Sequence, residues 1–425
     1  MAIPAQADAL LRAAVHAGVG SAAALAWQHA DARSLVAVGH TALPEWCGQP
    51  IDADSQFDLA SLTKPIVTLT LLVAQVAAGR VHLADRLDLH LPTARDTPRG
   101  SATIGQLVSH TSGAPAWFDF FAATRDLGPD ARPQAVQRAV LMTPPAHPPG
   151  SCAVYSDLGY MALGWLLEHL AGQPLDVQFQ QKIAGPLGLH AGFRRISQHA
   201  AENGGDEVRA GIVATEVWPP NGAPGRPLWG VVHDDNCAAL DGVAGHAGLF
   251  GSIADVAIWA NEWLGAVRDT ETPYHGRLDL PSGICRQWVA TPGCTATTWR
   301  HGWDTPSRPG SSAGEGVPVD ASVTSDLPAP VCGLRHPTTR SQSCSPTACI
   351  QRATTWPESA RCVRNFTTRC GGPCRCDRRR CGCVDRLATC RVFCPLVCWS
   401  ARCGLSSVCR LRVSIFRSTT RGNCT

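Results

Sequence analysis

Ser61 and Lys64 stand three residues apart in the stretch FDLASLTKP, Phe57 to Pro65. At the opening of a helix, that spacing puts a hydroxyl and an ammonium on one face. An amine beside a hydroxyl can help remove its proton, which is how serine becomes a nucleophile where no histidine serves it. The spacing by itself is thin ground. The chain holds two lysines, Lys64 and Lys182, and a serine three places ahead of one of them arises by chance roughly one time in eight.

Three further stretches follow in order: SHTSGAP (Ser109–Pro115), PPGSCAVYSDLGY (Pro148–Tyr160) and PLGL (Pro186–Leu189). Their order and spacing resemble the serine β-lactamase and DD-peptidase superfamily, in particular its class C-like, β-lactamase-related esterase branch. The resemblance covers about residues 5–314. It implies that Ser61 is the acylated nucleophile, that Lys64 shuttles protons, and that Tyr155 is the general base. The family pattern there is Tyr-x-Asn, and this chain departs from it with Asp157 in the third position. An acid there is expected to add negative charge near Lys64 and to weaken donation to a substrate carbonyl. The implied reaction is hydrolysis of an ester or amide, β-lactams included, through an acyl-Ser61 intermediate on a small acyl substrate. It calls for no cofactor and no metal. The alternative is a non-catalytic, penicillin-binding-like module.

GVAGHAGLFGS, Gly242 to Ser252, offers His246-Ala247-Gly248 as a candidate for the family's third motif, the strand that supplies half of the oxyanion hole. Ser252, however, reads as the N-cap of a helix beginning at Ile253. The segment is therefore a glycine-rich lead into that helix, and His246 is structural or lines the substrate pocket. His110, in the SHTSG turn, is expected to be structural.

The elements that must position these residues are legible from periodicity. Helices are expected at Ala5–His16, Ser61–Ala78, Thr103–Ser109, Pro133–Leu141, Asp157–Ala171 and Ile253–Val267, and strands at Ala22–Gln28 and Ser34–Val38. Pro65 falls in a first turn, where its missing N–H costs nothing. Asn203–Arg226 is rich in Gly, Pro and Asn and reads as a surface loop. Two early strands followed mostly by helix give an α+β class. The resemblance makes it a β-lactamase/transpeptidase-like fold, an antiparallel sheet flanked by helices with a helical subdomain.

Composition splits the chain. Residues 1–319 hold 20 Lys and Arg against 29 Asp and Glu, a net charge of −9. Residues 320–425 hold 17 Arg, no Lys and 5 acids, a net charge of +12, together with 15 of the 20 cysteines. The sparse cysteines of the first part suit a reducing compartment. The N-terminus lacks the pattern of an export signal, and no window reaches the apolar length of a membrane span. A cytoplasmic protein with no membrane partner is the expectation, which argues against a periplasmic enzyme meeting peptidoglycan.

In this branch, GWDTPSRPGSSAG (Gly302–Gly314) should lead into Gly-His-x-Gly-Phe-Thr-Gly and later into a strand ending Thr-Asn-Arg-Val-His-Pro. Neither is present. The genetic code supplies a test: let each true codon join the third base of one residue to the first two bases of the next. SVTSDLPAPVCGL (Ser322–Leu334) can then spell Val-Gly-His-Leu-Gly-Phe-Thr-Gly-Thr-Ser-Leu-Trp-Ile. In the same frame SQSCSPTACIQ (Ser341–Gln351) can spell Ala-Val-Val-Leu-Thr-Asn-Arg-Val-His-Pro. Two long matches in one frame, in family order, mark 320–425 as out of frame, with the slip between about Gly314 and Asp320. The rival is a metal-binding or nucleic-acid-binding tail. CRCDRRRCGC (Cys374–Cys383) has Cys-x-Cys pairs but neither Cys-x-x-Cys nor histidines at zinc-module spacing. The expected organisation is a truncated hydrolase domain, 1–319, and a disordered tail, 320–425. Activity should be impaired and the C-terminal strands of the sheet missing.

Overall fold

A computed structural model describes residues 5–305 apart from 30–31, 44–45, 202–210, 216, 219–225, 269–275, 295–296 and 298. Beyond residue 305 it describes the backbone of three strands. Helix α1 (Ala5–His16) leads into strands β1 (Ala22–His29) and β2 (Ala32–Gly39), an antiparallel hairpin paired from Ala22↔Gly39 to His29↔Ala32. Gly39 closes the ladder at φ +106°, where a Cβ would lie 2.1 Å from the Ser21 carbonyl oxygen, so only glycine fits. A second antiparallel sheet is small but central: β3 (Phe57–Asp58) and β4 (Gly192–Phe193) flank β7 (Leu249–Gly251). Between β4 and β7 in sequence, β5 (Val217–Trp218) pairs with β6 (Arg226–Pro227), inside the stretch expected to be a loop.

The helical part holds the core. Helices α2 (Thr70–Ala77), α3 (Ile104–Val108), α4 (Arg132–Met142), α5 (Asp157–Ala171), α6 (Ile253–Arg268) and α7 (Ser282–Ala290) fall close to where apolar periodicity places them, α7 excepted, which sequence reading passed over. Their boundaries follow local chemistry. Thr103 and Gln106 form a reciprocal capping box at the start of α3. Ser252 Oγ accepts the Asp255 N–H at 3.1 Å and the Asp255 carboxylate accepts the Ser252 N–H at 2.9 Å, so Ser252 caps α6 as its sequence suggests. Gly172, at φ +64°, ends α5.

The helix expected from Ser61 to Ala78 is not uniform. It runs as a 3-10 turn (Ala60–Leu62), a π-helical segment (Lys64–Leu69) and then α2. Pro65 is the reason: it lacks an N–H, and its own carbonyl accepts the Thr70 hydroxyl at 3.0 Å across the widened turn. Thr70 Oγ1 also accepts both indole N–H groups of α6, from Trp259 at 3.1 Å and Trp263 at 3.0 Å. The helical run that begins at Ala60 is thus bolted to α6 through one buried hydroxyl. Contrary to expectation, Ala60–Ala77 is apolar and long enough by composition to cross a bilayer; 72% of it is buried inside the fold, with Leu69, Leu72 and Val73 wholly covered.

Strands β8 (Ser322–Val323), β9 (Phe393–Trp399) and β10 (Arg410–Arg417) extend the first sheet to the order β2-β1-β10-β9-β8. Strand β10 meets β1 at Gln28↔Leu411 and His29↔Arg410. Sequence reading left this side of the sheet bare and the tail without structure, whereas the described backbone places three strands there. The alternation of Leu411, Val413 and Ile415 with Arg412 and Ser414 is a strand pattern. The rest of 320–425, and with it nearly all of the two frame-shifted motifs, lies outside the described residues.

Candidate active site

The site is built on a tight turn. Strand β3 ends at Asp58, whose carboxylate accepts the Ala60 N–H at 2.8 Å and the His233 N–H at 2.8 Å. Burial pushes the Asp58 carboxyl up, against the pull of those two donors. Ala60 is held at φ +45°, a left-handed conformation that alanine avoids, and this turn presents Ser61 at the start of the helical run. Thr63 fixes the next residues by donating to the Ala60 carbonyl at 2.7 Å and accepting the Leu249 N–H of β7 at 3.1 Å. Ser61 is partly exposed, while Lys64 is completely buried.

A buried ammonium needs partners, and Lys64 has several. Its Nζ lies 2.6 Å from Ser61 Oγ, 2.6 Å from Tyr155 Oη, 3.4 Å from the His246 carbonyl oxygen and 2.9 Å from Asp157 Oδ1. The ring of Tyr155 lies below the same ammonium, its centroid 4.7 Å away. Ser61, Lys64, Tyr155 and Asp157, more than 90 residues apart in sequence at the extremes, therefore share one charge centre.

The SHTSGAP segment acts as the clamp for Tyr155 and Asp157. The His110 carbonyl accepts the Val154 N–H at 2.9 Å, His110 Nδ1 accepts the Ser156 N–H at 3.0 Å, and Ser156 Oγ donates to the Pro115 carbonyl at 2.7 Å. The Ala116 carbonyl accepts the Asp157 N–H at 3.1 Å. With Nδ1 as acceptor, His110 carries its proton on Nε2. Its ring packs between Tyr155, Tyr160 and Trp299 with centroids 4.6, 5.1 and 4.6 Å away. Burial, helped by the charge of Lys64, depresses the His110 pKa well below the ordinary 6.5, so the ring stays neutral. His110 is structural, as expected.

His246 was expected to be structural or to line the substrate pocket, and its surroundings are those of a packed, paired side chain. Its imidazole is fully buried, with Nε2 3.0 Å from Asp234 Oδ1, and its carbonyl reaches Lys64. The reason lies in the glycines around it. A Cβ at Gly245 would sit 2.2 Å from the Tyr160 carbonyl oxygen, so this segment runs hard against α5, while the Gly245 carbonyl accepts the Thr68 hydroxyl at 2.7 Å. Burial works to raise the Asp234 carboxyl, but the His246 pairing, the Cys237 N–H and the charge of Lys64 together hold it well below the usual carboxylate range. Sequence reading missed Asp58, Asp234 and Trp299. Asp58 stood in view two residues before Ala60, in the position of a turn acceptor; Asp234 and Trp299 carry no local signal. Trp299 stacks at a tilt 5.6 Å from Tyr155 and forms part of the wall around the base. No cluster of three or more candidate metal ligands occurs among the described residues.

A family model described as Beta-lactamase matches residues 7–322. An Escherichia coli K12 protein provisionally named a D-alanyl-D-alanine carboxypeptidase is 33% identical over 228 residues, 49% of this chain and 51% of that protein. The N-acetylmuramyl-L-alanine amidase of Bacillus subtilis 168 is 30% identical over 268 residues, 59% of this chain and 57% of its own length. The chain therefore spans about half the length of the curated relatives it matches. Among solved structures, the β-lactamase/D-alanine carboxypeptidase of Pseudomonas syringae aligns over 72% of this chain and 77% of that one, with a TM-score of 0.53 and 18% identity, a likeness of fold.

Proposed function

The chain belongs to the Beta-lactamase family, and from that premise we propose that it is a serine hydrolase that cleaves small esters or amides through an acyl-Ser61 intermediate. One observation carries the reading: a single buried ammonium, Lys64, lies 2.6 Å from both a partly exposed serine hydroxyl and a tyrosine hydroxyl. Tyr155 Oη receives the Ser61 proton as Ser61 Oγ attacks the substrate carbonyl, with Lys64 in contact with both oxygens. The leaving group departs with that proton. Water, activated by the same tyrosine, then releases the acid and restores Ser61. Asp157 and the His246 carbonyl keep Lys64 in place through both steps. The relatives' names, a carboxypeptidase and an amidase, are in keeping with amide cleavage, and β-lactams fall within the same chemistry.

The oxyanion needs two aimed N–H donors. Ser61 supplies one, and in this family a strand beside the nucleophile supplies the other. We place that strand in the out-of-frame segment after Gly314, so the chain as translated is impaired. Two measurements test the reading on the full chain. Incubation with an active-serine phosphonate followed by mass spectrometry should place one adduct on Ser61 and none in Ser61→Ala; no adduct in the frame-restored chain would favour a non-catalytic binding module. Ester turnover should rise ~10²–10³-fold when a single-base change restores the frame, and equal turnover would remove the frame reading.

A further inference from the structure

Asp157 is the place where this site departs from its family pattern, and its geometry gives the departure a direction. The carboxylate touches Lys64 through Oδ1 at 2.9 Å, and its side chain is 17% exposed where that of Lys64 is 0%. Ser61 is likewise partly exposed and touches the same Nζ at 2.6 Å. Ser61 Oγ and Asp157 Oδ1 are thus at most two hydrogen-bond lengths apart, both reaching solvent, with the ammonium behind them. Oδ1 faces Lys64. The Asp157 backbone is held by the Ala116 carbonyl at the first turn of the 15-residue helix α5.

A carboxylate accepts hydrogen bonds and donates none. An amide in this position could donate to a carbonyl on the acyl group; the part-exposed Asp157 carboxylate repels one and attracts a donor, best of all a cation. We propose that Asp157 is a specificity-determining residue that selects acyl groups carrying a protonated amine close to the scissile carbonyl, the aminoacyl esters and amides, over acyl groups with a carbonyl there. The span fits: an amine on the carbon next to the carbonyl is three bonds from Ser61 Oγ in the acyl-enzyme. The covalent steps are unchanged. The bond from Ser61 Oγ to the acyl carbon forms as the bond to the leaving amine breaks, the serine proton leaves on that amine, and water returns the free amino acid.

This inference rests on the acyl-Ser61 reading, and its test separates the two. The full chain is assayed at pH 6.5 with alanine p-nitroanilide of each hand and with the N-acetylated counterparts, in the parent and in Asp157→Asn. The parent should prefer the free amine of one hand at least about tenfold in kcat/KM, the size of one hydrogen bond to a charged group. Asp157→Asn should bring that ratio to one or invert it. In parallel, alaninamide and N-acetylalaninamide are titrated calorimetrically into Ser61→Ala, with and without Asp157→Asn, so that the preference is read without turnover. A preference in binding with no Ser61 adduct or turnover in the frame-restored chain would overturn the hydrolase reading and leave Asp157 as the selector. A parent ratio below about twofold in binding, or a preference that survives Asp157→Asn, would overturn the role of Asp157.

Discussion

Replacing Tyr155 by Phe removes one oxygen and nothing else from the packing of the site. The ring keeps its contacts with His110 at 4.6 Å and Trp299 at 5.6 Å, and its face under Lys64 at 4.7 Å. Lys64 also keeps Ser61, Asp157 and the His246 carbonyl, so the buried ammonium is not orphaned. The hydrogen bond lost to Lys64, one to a charged group, contributes about 1.5–3 kcal/mol of stability. The effect on chemistry is larger and of a different kind. Without the hydroxyl, the Ser61 proton has lost its proposed acceptor, and a positioned general base is worth ~10²–10⁴ in rate. That range corresponds to about 2.7–5.5 kcal/mol of barrier. The assay is the second-order rate of Ser61 modification by a fluorophosphonate, read by intact mass, beside thermal melts of both proteins. Because acylation alone is followed, an impaired second oxyanion donor affects parent and variant alike. The expected result is a folded Tyr155→Phe protein whose acylation is slower by at least ~10². A rate within tenfold of the parent, with Ser61 still the modified residue, would refute the assignment of Tyr155 as base.

Two further outcomes follow from buried groups. Thr70→Val leaves the indole N–H groups of Trp259 and Trp263 without their shared acceptor; at about 1–3 kcal/mol for each buried donor, the variant should lose about 2–6 kcal/mol. Thr70→Ser, which keeps the hydroxyl, should lose about 1 kcal/mol, and equal urea midpoints for the two variants would show that the hydroxyl does not hold the helices together. His110 gives a pH dependence. Its pKa is depressed in the folded chain chiefly by burial, so below the ordinary 6.5 the unfolded chain takes up a proton that the folded chain refuses. Stability present above pH 6.5 is therefore lost as pH falls, by up to about 1.4 kcal/mol per pH unit for this residue. His110→Asn suits the left-handed backbone at φ +58° and can still offer an oxygen to the Ser156 N–H. It should flatten the stability profile between pH 6.5 and about 5 by one proton's slope; parallel profiles would place the titration elsewhere.

What the sequence by itself determined is local. Ser61 and Lys64 share a face because three residues of helical rise return a side chain to the same side. The starts of α3 and α6 were legible because Thr103 and Ser252 answer the unpaired N–H groups of a first turn within a few residues. The family pattern then named Tyr155 and singled out Asp157 by its mismatch. Tertiary structure decided which groups surround the charge. That Asp157 pairs with Lys64, that the His246 ring turns to Asp234 and that Trp299 walls the tyrosine are consequences of contacts between segments distant in sequence. Such contacts are set by how the glycine-rich approach to α6 fits against α5, and no period in the sequence records them. The Ser-Lys pair could be found by counting residues; its electrostatic partners exist only once the core has closed around Lys64.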